Sequence, residues 1–117
     1  MKVRYKIWLD NGGKAFGQGP YELLRRMEKT DSLHQAAHQM NMSYSKAWKV
    51  IQNMEKRLGF AFLEKKIGGL SGGGSWVTSE GKEFLRRYER FESDAKEVIE
   101  KTYQKYFGNR STERGGH

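Results

Sequence analysis

The pattern of apolar and polar positions divides the chain into short strands and helices. Residues 3–9 carry apolar side chains at every second position, Val3, Tyr5, Ile7 and Leu9, against the basic Lys2, Arg4 and Lys6, which predicts a strand with one basic face. The Asp-Asn-Gly-Gly sequence at residues 10–13 is a strong turn signal, and the chain can return as a second strand over residues 14–16. Apolar residues at helical spacing predict four helices, over residues 21–29, 32–39, 44–58 and 79–107.

A second hairpin is predicted between the third and fourth helices. Residues 60–66 and 76–78 have the composition of strands, and the segment between them is rich in glycine. Three helices followed by a two-stranded hairpin is the element order of a winged helix. The sequence therefore predicts a mainly α fold with a small β component, a winged helix-turn-helix with a long C-terminal helix.

The connection between the second and third predicted helices fits a helix-turn-helix. Ala37 is small enough to let the two helices cross closely, and Asn41 tolerates the left-handed conformation that a tight turn requires. Ser43 is a preferred N-cap for the third helix. Tyr44 and Trp48, four residues apart, could stack on a base or seal the helix against neighbouring backbone. Proteins that do not bind DNA can share this pattern. The exposed face of the third helix therefore has to distinguish DNA binding from other functions.

The third predicted helix has one apolar face and one polar face. The apolar residues, which should face the core, are Ala47, Val50, Ile51 and Met54. The opposite face carries hydrogen-bond donors and two lysines: Tyr44, Ser45, Lys46, Lys49, Gln52 and Asn53. A merely solvated face would more often mix Glu with Lys, yet no acidic residue precedes Glu55 in this helix. The pattern favours contact with bases in a major groove over simple solvation.

Positive charge is concentrated in the first two-thirds of the chain. Of a formal net charge of +8, residues 1–78 contribute 13 Lys and Arg against 6 Asp and Glu, whereas residues 79–107 carry 7 of each kind. A polyanionic partner such as a nucleic acid would bind residues 1–78, although a basic surface can also serve solubility alone. The second hairpin adds Lys65 and Lys66 beside a glycine-rich tip, which could approach a phosphate or a minor groove or be a disordered loop.

The last predicted helix carries a heptad seam. Its members step by three and four residues: Phe84, Tyr88, Phe91, Ala95, Val98 and Thr102. At ~1.5 Å per residue this helix would be about 43 Å long, more than so small a domain can cover. We expect part of the seam to pack against a second subunit in a two-fold dimer. The alternative is that the stripe packs wholly on its own domain.

Other function classes find little support in the sequence. Cysteine is absent, and no apolar run is long enough to span a membrane, so a cytoplasmic protein is expected. His34 and His38 have the spacing of metal ligands, but only Asp31 offers a third candidate nearby, so solvated or phosphate-contacting histidines are favoured. No nucleophile stands at a recognisable spacing from a base. We expect no enzyme activity, no metal and no cofactor.

Several short motifs occur together in the chain. They are the Ser-Tyr start and the Ala-Trp pair of the third helix, the glycine-rich hairpin tip, and Val-Thr-Ser-Glu-Gly at residues 77–81. With them, residues 30–85 resemble the N-terminal domain of ModE-type molybdate-responsive transcriptional regulators and, more weakly, LysR-type DNA-binding domains. The opening segments KIWLDNGG and FGQGPYELL extend the resemblance to nearly the whole chain, up to about residue 103.

The resemblance implies a winged helix-turn-helix that dimerises through its long helix and binds operator DNA. It places DNA contacts on the third helix and the hairpin, at Ser43, Tyr44, Ser45, Lys46, Lys49, Lys65 and Lys66 and over residues 71–75, including Ser71 and Ser75. In ModE-type regulators a molybdate-binding domain follows this region. The chain has no room for one before His117, so we expect none.

The sequence thus predicts three segments with one function. They are a winged helix-turn-helix DNA-binding domain with an N-terminal β-hairpin (1–78), a dimerisation helix of the same domain (79–107) and a disordered tail (108–117). The predicted function is that of a ModE-like, sequence-specific regulator of transcription that binds double-stranded DNA as a homodimer. The alternatives are a protein-interaction winged-helix module and a non-specific architectural DNA-binding protein.

Overall fold

The computed structural model describes residues 1–65 and 74–108. Within them the elements follow in the order β1 (Leu9–Asp10), β2 (Lys14–Phe16), α1 (Gln18–Thr30), α2 (Leu33–Gln39), α3 (Tyr44–Leu58), β3 (Leu63–Lys65), β4 (Ser75–Val77) and α4 (Ser79–Phe107). This confirms the predicted mainly α fold, a winged helix with a long C-terminal helix. The chain divides into a core unit, Ile7–Leu85, and a terminal unit, Met1–Lys6 with Arg86–His117.

The N-terminal hairpin is shorter than the sequence predicts. β1 and β2 are antiparallel, with Leu9 opposite Phe16 and Asp10 opposite Lys14. The carboxylate of Asp10 accepts a hydrogen bond from the Gly13 amide at 3.1 Å, which closes the predicted turn. Residues 3–8 form no strand, contrary to the prediction. A strand needs a hydrogen-bonded neighbour, and the three residues of β2 pair only with the end of the alternating segment.

Local caps set the bounds of the first two helices. α1 ends at Asp31, which adopts a left-handed conformation with φ 53° and donates its amide to the Met27 carbonyl at 2.8 Å. The Ser32 hydroxyl then accepts the amide of Gln35 at 3.1 Å and caps α2. Because a cap satisfies an amide that no helical carbonyl can reach, Ser32 fixes where the seven-residue α2 begins.

The turn between α2 and α3 has the predicted chemistry. Asn41 is left-handed with φ 54°, and the Met42 amide donates to the Ala37 carbonyl at 3.0 Å. The Ser43 hydroxyl accepts the Lys46 amide at 3.1 Å and caps α3, which ends at the left-handed Gly59 with φ 82°. The predicted turn, cap and helix end are all confirmed, and together they fix the direction of α3.

The core unit is built on three helices and an aromatic cluster. Its fully buried side chains come from every helix, from β2 and from the start of the second hairpin: Phe16, Leu23, Leu24, Met27, Ala36, Ala47, Ile51, Met54, Phe62 and Leu85. The Phe84 ring lies 4.9 Å from Phe16, 5.6 Å from Phe62 and 5.8 Å from Phe60, between ring centroids. This cluster joins the first hairpin, the foot of the second hairpin and the beginning of α4.

The second hairpin, β3–β4, is held at its foot by α3. β3 and β4 are antiparallel, with Glu64 opposite Trp76 and Lys65 opposite Ser75. One carboxylate oxygen of Glu55 accepts the amides of Phe62 at 2.8 Å and Leu63 at 3.3 Å. The tip of the hairpin lies outside the described residues.

Thr78 connects this hairpin to α4. Its amide donates to the Phe62 carbonyl at 2.9 Å, and its hydroxyl donates to the Ala61 carbonyl at 2.7 Å. The same hydroxyl oxygen accepts the amide of Gly81 at 3.0 Å. A Cβ at Gly81 would lie 2.9 Å from Val77 Cγ1, so only glycine fits beneath the hairpin without displacing a neighbour.

The terminal unit consists of the first six residues and α4 from Arg86 onward. Ion pairs one turn apart stabilise its surface modestly, as between Arg86 and Glu89 at 2.9 Å and between Lys101 and Glu97 at 3.0 Å. The Tyr103 hydroxyl donates to the Met1 carbonyl at 2.7 Å, which ties the N-terminus to the helix. Over the described ranges of the chain, no helix has both the length and the apolarity to cross a membrane.

Candidate nucleic-acid interface

α3 presents a polar face to solvent because its other face forms part of the core. Ala47, Ile51 and Met54 are completely buried against the neighbouring elements α1, α2 and β2. The side chains opposite them are exposed and form what we call the outer face of α3: Tyr44, Ser45, Lys46, Lys49, Gln52 and Asn53. Ser43 is also exposed, but its hydroxyl is engaged as the helix cap. The structure therefore brings together the six residues that the helical pattern placed outside.

The outer face of α3 is electropositive. Within the part of the chain that the structure describes, neither Lys46 nor Lys49 has an acidic partner. Glu55, the first acidic residue of the helix, is half-buried and directs its carboxylate to the amides of the second hairpin. Two ammonium groups on adjacent helical turns thus stand uncompensated among amide and hydroxyl groups, a combination that suits a nucleic-acid groove.

Tyr44 at the start of the outer face is held by α2. Its ring stacks on that of His34, with centroids 4.3 Å apart and planes 16° from parallel. The side chain still exposes 39% of its surface. The contact fixes the ring while leaving part of it open to a ligand. No cluster of three or more His, Cys, Asp and Glu residues able to hold a metal ion exists in the described segments.

Besides the Glu55 hydrogen bonds at its foot, the second hairpin contacts α3 through a cation–π interaction. The Lys65 ammonium lies 4.7 Å from the centroid of the half-buried Trp48 ring. Across the hairpin, the indole N–H of Trp76 donates to the Glu64 carboxylate at 3.2 Å. The structure therefore places the exposed Lys65 beside α3, with Ser75 opposite it on the neighbouring strand. The other predicted hairpin contacts, Lys66 and Ser71, lie outside the described residues.

One cationic residue near this surface was missed by sequence reasoning. The side-chain amide of Asn53 donates to the backbone carbonyl of Lys14 at 3.2 Å, which brings β2 alongside the outer face of α3. Lys14 itself is exposed, and its ammonium lies 5.2 Å from the centroid of the Trp8 ring. Its place in a predicted strand next to a basic segment was a signal, but the packing of that strand on α3 is a tertiary property.

The predicted dimer residues lie in different environments. Phe84 belongs to the aromatic cluster of the core unit, and Tyr88 is only 2% exposed. Burial raises the pKa of the Tyr88 phenol, and the carboxylate of Glu92 raises it further by charge and hydrogen bonding. The remaining members of the seam are half-buried or exposed: Phe91, Ala95, Val98 and Thr102. Thr102 donates its hydroxyl to the Val98 carbonyl at 2.8 Å, one turn earlier.

The chain is similar in sequence to known bacterial proteins. The chain is 28% identical over 93 residues to the molybdenum-pterin-binding protein MopB of Rhodobacter capsulatus, covering 80% of this chain and 34% of MopB. It is 33% identical over 70 residues to the transcriptional regulator ModE of Haemophilus influenzae, covering 60% of this chain and 28% of ModE. The matches thus span about a third of the length of these relatives, or less.

The resemblance to ModE-type regulators is confirmed by these relatives, and the ModE proteins of Haemophilus influenzae and Yersinia pestis are described as transcriptional regulators, not as enzymes. The sequence model of the family described as bacterial regulatory helix-turn-helix protein, lysR family, matches residues 21–82. That segment is more than half of the chain and contains most of α1, the helix-turn-helix and the second hairpin. The chain therefore belongs to the lysR family of bacterial regulatory helix-turn-helix proteins and carries its DNA-binding domain.

Proposed function

We propose that the protein regulates transcription by binding a specific DNA sequence as a homodimer, with α3 in the major groove. The observation that carries the proposal is the outer face of α3, which is exposed, cationic and rich in side-chain donors. The buried opposite face fixes this helix on the core, so the face is preorganised for a groove. Preorganisation matters because it reduces the ordering cost of association.

The chemistry of the outer face suits the reading of bases. Lysine donates to the acceptor edge of guanine, and the amides of Gln and Asn match the donor and acceptor edge of adenine. Lys46 and Lys49 occupy adjacent helical turns, followed by Gln52 and Asn53. Because the N-terminal half of a recognition helix contacts base edges, we assign Lys46 and Lys49 to base or adjacent phosphate contacts and Ser43, Tyr44 and Ser45 to the entry of the helix. Gln52 and Asn53 begin the second half of α3 on the same face, and we assign them to further contacts in the same groove.

The second hairpin serves as the wing in this proposal. Lys65 and Ser75 face each other in its ladder, and Lys65 lies against Trp48 of α3. A wing next to the recognition helix can reach the backbone or the minor groove that flanks the major groove. We assign Lys65, Lys66, Ser71 and Ser75 to such contacts, which position the protein without reading sequence.

Exposed apolar side chains on α4 support the homodimer. Phe91 exposes 46% of its surface and Val98 exposes 61%, although both belong to the heptad seam. A seam of this kind is normally covered by another helix. We propose that a second copy of α4 covers it, which would pair two recognition helices on one two-fold symmetric site.

The proposal concerns DNA alone. The molybdenum in the relatives' names is not carried over, because the chain spans only about a third of their length. Two other functions remain as outcomes of the test: a winged-helix module that joins protein subunits, and a non-specific architectural DNA-binding protein.

Selection of genomic fragments by the purified protein separates these functions. Enrichment of one motif with two-fold symmetry supports the sequence-specific dimer. Recovery of fragments without a common motif indicates architectural binding. Its affinity would fall with salt but would be the same for all DNA sequences. Recovery of no DNA at any salt concentration would leave the protein-interaction module as the better explanation.

Removal of a lysine from the outer face of α3 should lower both the affinity for DNA and the salt dependence of binding. We expect Lys46→Ala and Lys49→Ala each to reduce affinity for the selected motif about tenfold, since one charged interaction is worth roughly 1–3 kcal/mol. The slope of log K against log salt should fall by about one unit for each phosphate that the variant no longer neutralises. Fluorescence anisotropy at several salt concentrations measures both effects.

Lys101→Ala is the matched control. It removes the same charge from α4, where the ammonium is paired with Glu97 and lies outside the proposed interface. Its affinity and salt slope should equal those of the unmodified protein. If all three variants bind every duplex alike, the assignment of α3 as the recognition helix is wrong.

A further inference from the structure

An open cavity of about 430 Å³ lies between the N-terminal hairpin and the recognition helix. β2 and the first turn of α1 form one wall, and α3 forms the other. The volume falls within the range of about 300–1,000 Å³ that is typical of small-molecule sites. The cavity is therefore large enough for a compact organic ligand and belongs entirely to the core unit.

The surface inside the cavity is mostly apolar. Half-buried Pro20, Met42 and Val50 contribute to it, together with the backbone around Gly19. Val50 was predicted to face the core but is only half-buried. It is partly exposed because the cavity opens beside it, between α3 and the N-terminal hairpin. An apolar ligand body placed here would remove these side chains from water, which favours binding.

The polar residues that line the cavity are three lysines and one asparagine. Lys14, Lys46 and Lys49 contribute to its lining, and within the described chain no Asp or Glu does so. Asn53 adds an amide beside Lys14. Three lysines around an apolar surface complement a ligand that has an apolar body and one anionic group, and the Lys14 ammonium has to leave the Trp8 ring, 5.2 Å from its centroid, to reach that group.

We propose that this cavity binds a small organic anion, whose apolar body contacts Val50 and Pro20 and whose acidic group lies between Lys14 and the lysines of α3. Lys46 and Lys49 also belong to the proposed DNA surface, so the ligand competes with DNA for them; this second statement rests on the proposed function. The protein then releases its operator when the anion is abundant, because both ligands need the same ammonium groups.

The first experiment measures binding without DNA. Anilinonaphthalene sulfonate, a fluorescent aromatic anion, is titrated into the full chain alongside phenylnaphthylamine, which has the same aromatic body but no acidic group. We expect the anion to bind at least about tenfold more tightly, because the difference reports the interaction with the lysines. Equal affinity of the two compounds would overturn the proposal.

Two variants test whether this cavity is the site. A Cβ at Gly19 meets no heavy atom within 4 Å, so Gly19→Leu can place a side chain into the cavity without a clash. Lys14→Ala removes an ammonium that does not belong to α3. Each should weaken binding of the sulfonate roughly tenfold, whereas Lys29→Ala, an exposed lysine in the last turn of α1, should not. Unchanged affinity in both cavity variants would contradict the site.

The second experiment adds the selected duplex. The sulfonate should displace DNA from the unmodified protein and, at the same concentration, fail to displace it from Gly19→Leu. If the sulfonate binds in a cavity-dependent way but leaves DNA bound, the competition is wrong and the site stands. If the protein binds no duplex while the cavity variants still bind the sulfonate more weakly, the proposed function fails and the anion site stands.

Discussion

At the residue scale, Arg57 joins the first hairpin to the end of α3. The guanidinium of Arg57 donates to the Gly12 carbonyl, and the Asn11 side-chain amide donates to the Arg57 carbonyl at 2.6 Å. Gly12 and Gly13 have φ of 70° and 138°, values that L residues rarely adopt. The turn is therefore built from residues that bring its backbone against Arg57.

Gly13→Ala should destabilise the protein by about 1–3 kcal/mol. The new Cβ would be strained by the backbone conformation and would lie 2.5 Å from Arg57 Cζ, which would have to move away from the Gly12 carbonyl. Urea unfolding followed by circular dichroism measures the change. Gly19→Ala is the control, since its Cβ has open space in a helix and should leave stability unchanged or raise it by up to about 1 kcal/mol. Equal stability of the two variants would contradict this account.

Residues whose role is decided by local chemistry could be predicted from the sequence. Asn41, Ser43 and Gly59 act through hydrogen bonds or dihedral angles within a few positions of themselves, and all three have the predicted roles. Arg57 could not be predicted in the same way. Its partner lies 45 positions away, and no local pattern brings the two together.

At the element scale, Glu55 determines where the second hairpin leaves the core. Its carboxylate accepts two successive amides just before and at the start of β3, in place of a strand neighbour. These amides are part-buried. Without the carboxylate they would lose their acceptor, and water could replace it only incompletely. The acidic residue that ends the cationic run of α3 thus has a structural role at the foot of the wing.

Glu55→Ala should reduce the free energy of unfolding by about 2 kcal/mol, because it leaves two amides without their acceptor. It should also weaken DNA binding, since the wing is no longer held beside α3. Glu55→Gln keeps one acceptor oxygen and should reduce both quantities less. Thermal denaturation and fluorescence anisotropy give the two measurements. A Glu55→Ala variant as stable as the parent would show that water replaces the carboxylate fully.

Elements that depend on distant partners were predicted less well. The alternation of residues 3–9 predicts a strand, yet β1 covers only Leu9–Asp10 because β2 offers no further hydrogen-bonding partner. The heptad seam likewise cannot distinguish a partner in the same domain from one in a second subunit. Phe84 has its aromatic neighbours within the core unit, whereas Val98 is exposed in the single chain.

At the scale of the whole molecule, most of the positive charge and most of the large exposed apolar side chains of the described residues lie in different parts of the chain. Residues 1–78 carry most of the positive charge, and residues 79–107 carry equal numbers of both signs. The large exposed apolar side chains of α4 lie in this balanced part, among them Phe91, Val98 and Tyr106. The proposed division of labour follows from this distribution: the cationic part meets DNA, and the balanced helix meets a second copy.

Val98→Glu should dissociate the proposed dimer. A carboxylate in the seam would be buried without a partner, which should weaken self-association at least about tenfold. The fold of the single chain should be unaffected, because Val98 is 61% exposed in it. Sedimentation equilibrium measures the change, with Ser93→Glu on the opposite side of the helix as the control. Identical dimerisation of the two variants would contradict assembly through this seam.

The contact between Lys65 and Trp48 has a consequence for the energetics of the proposed DNA binding. A phosphate that binds the Lys65 ammonium must draw it away from the indole of Trp48. The net gain is therefore smaller than the phosphate interaction itself by the lost cation–π interaction, about 0.5–1 kcal/mol. In return, the lysine side chain is restrained before DNA arrives and gives up less rotamer freedom on binding. The indole thus holds the Lys65 ammonium beside α3, close to the proposed phosphate contact, before DNA binds.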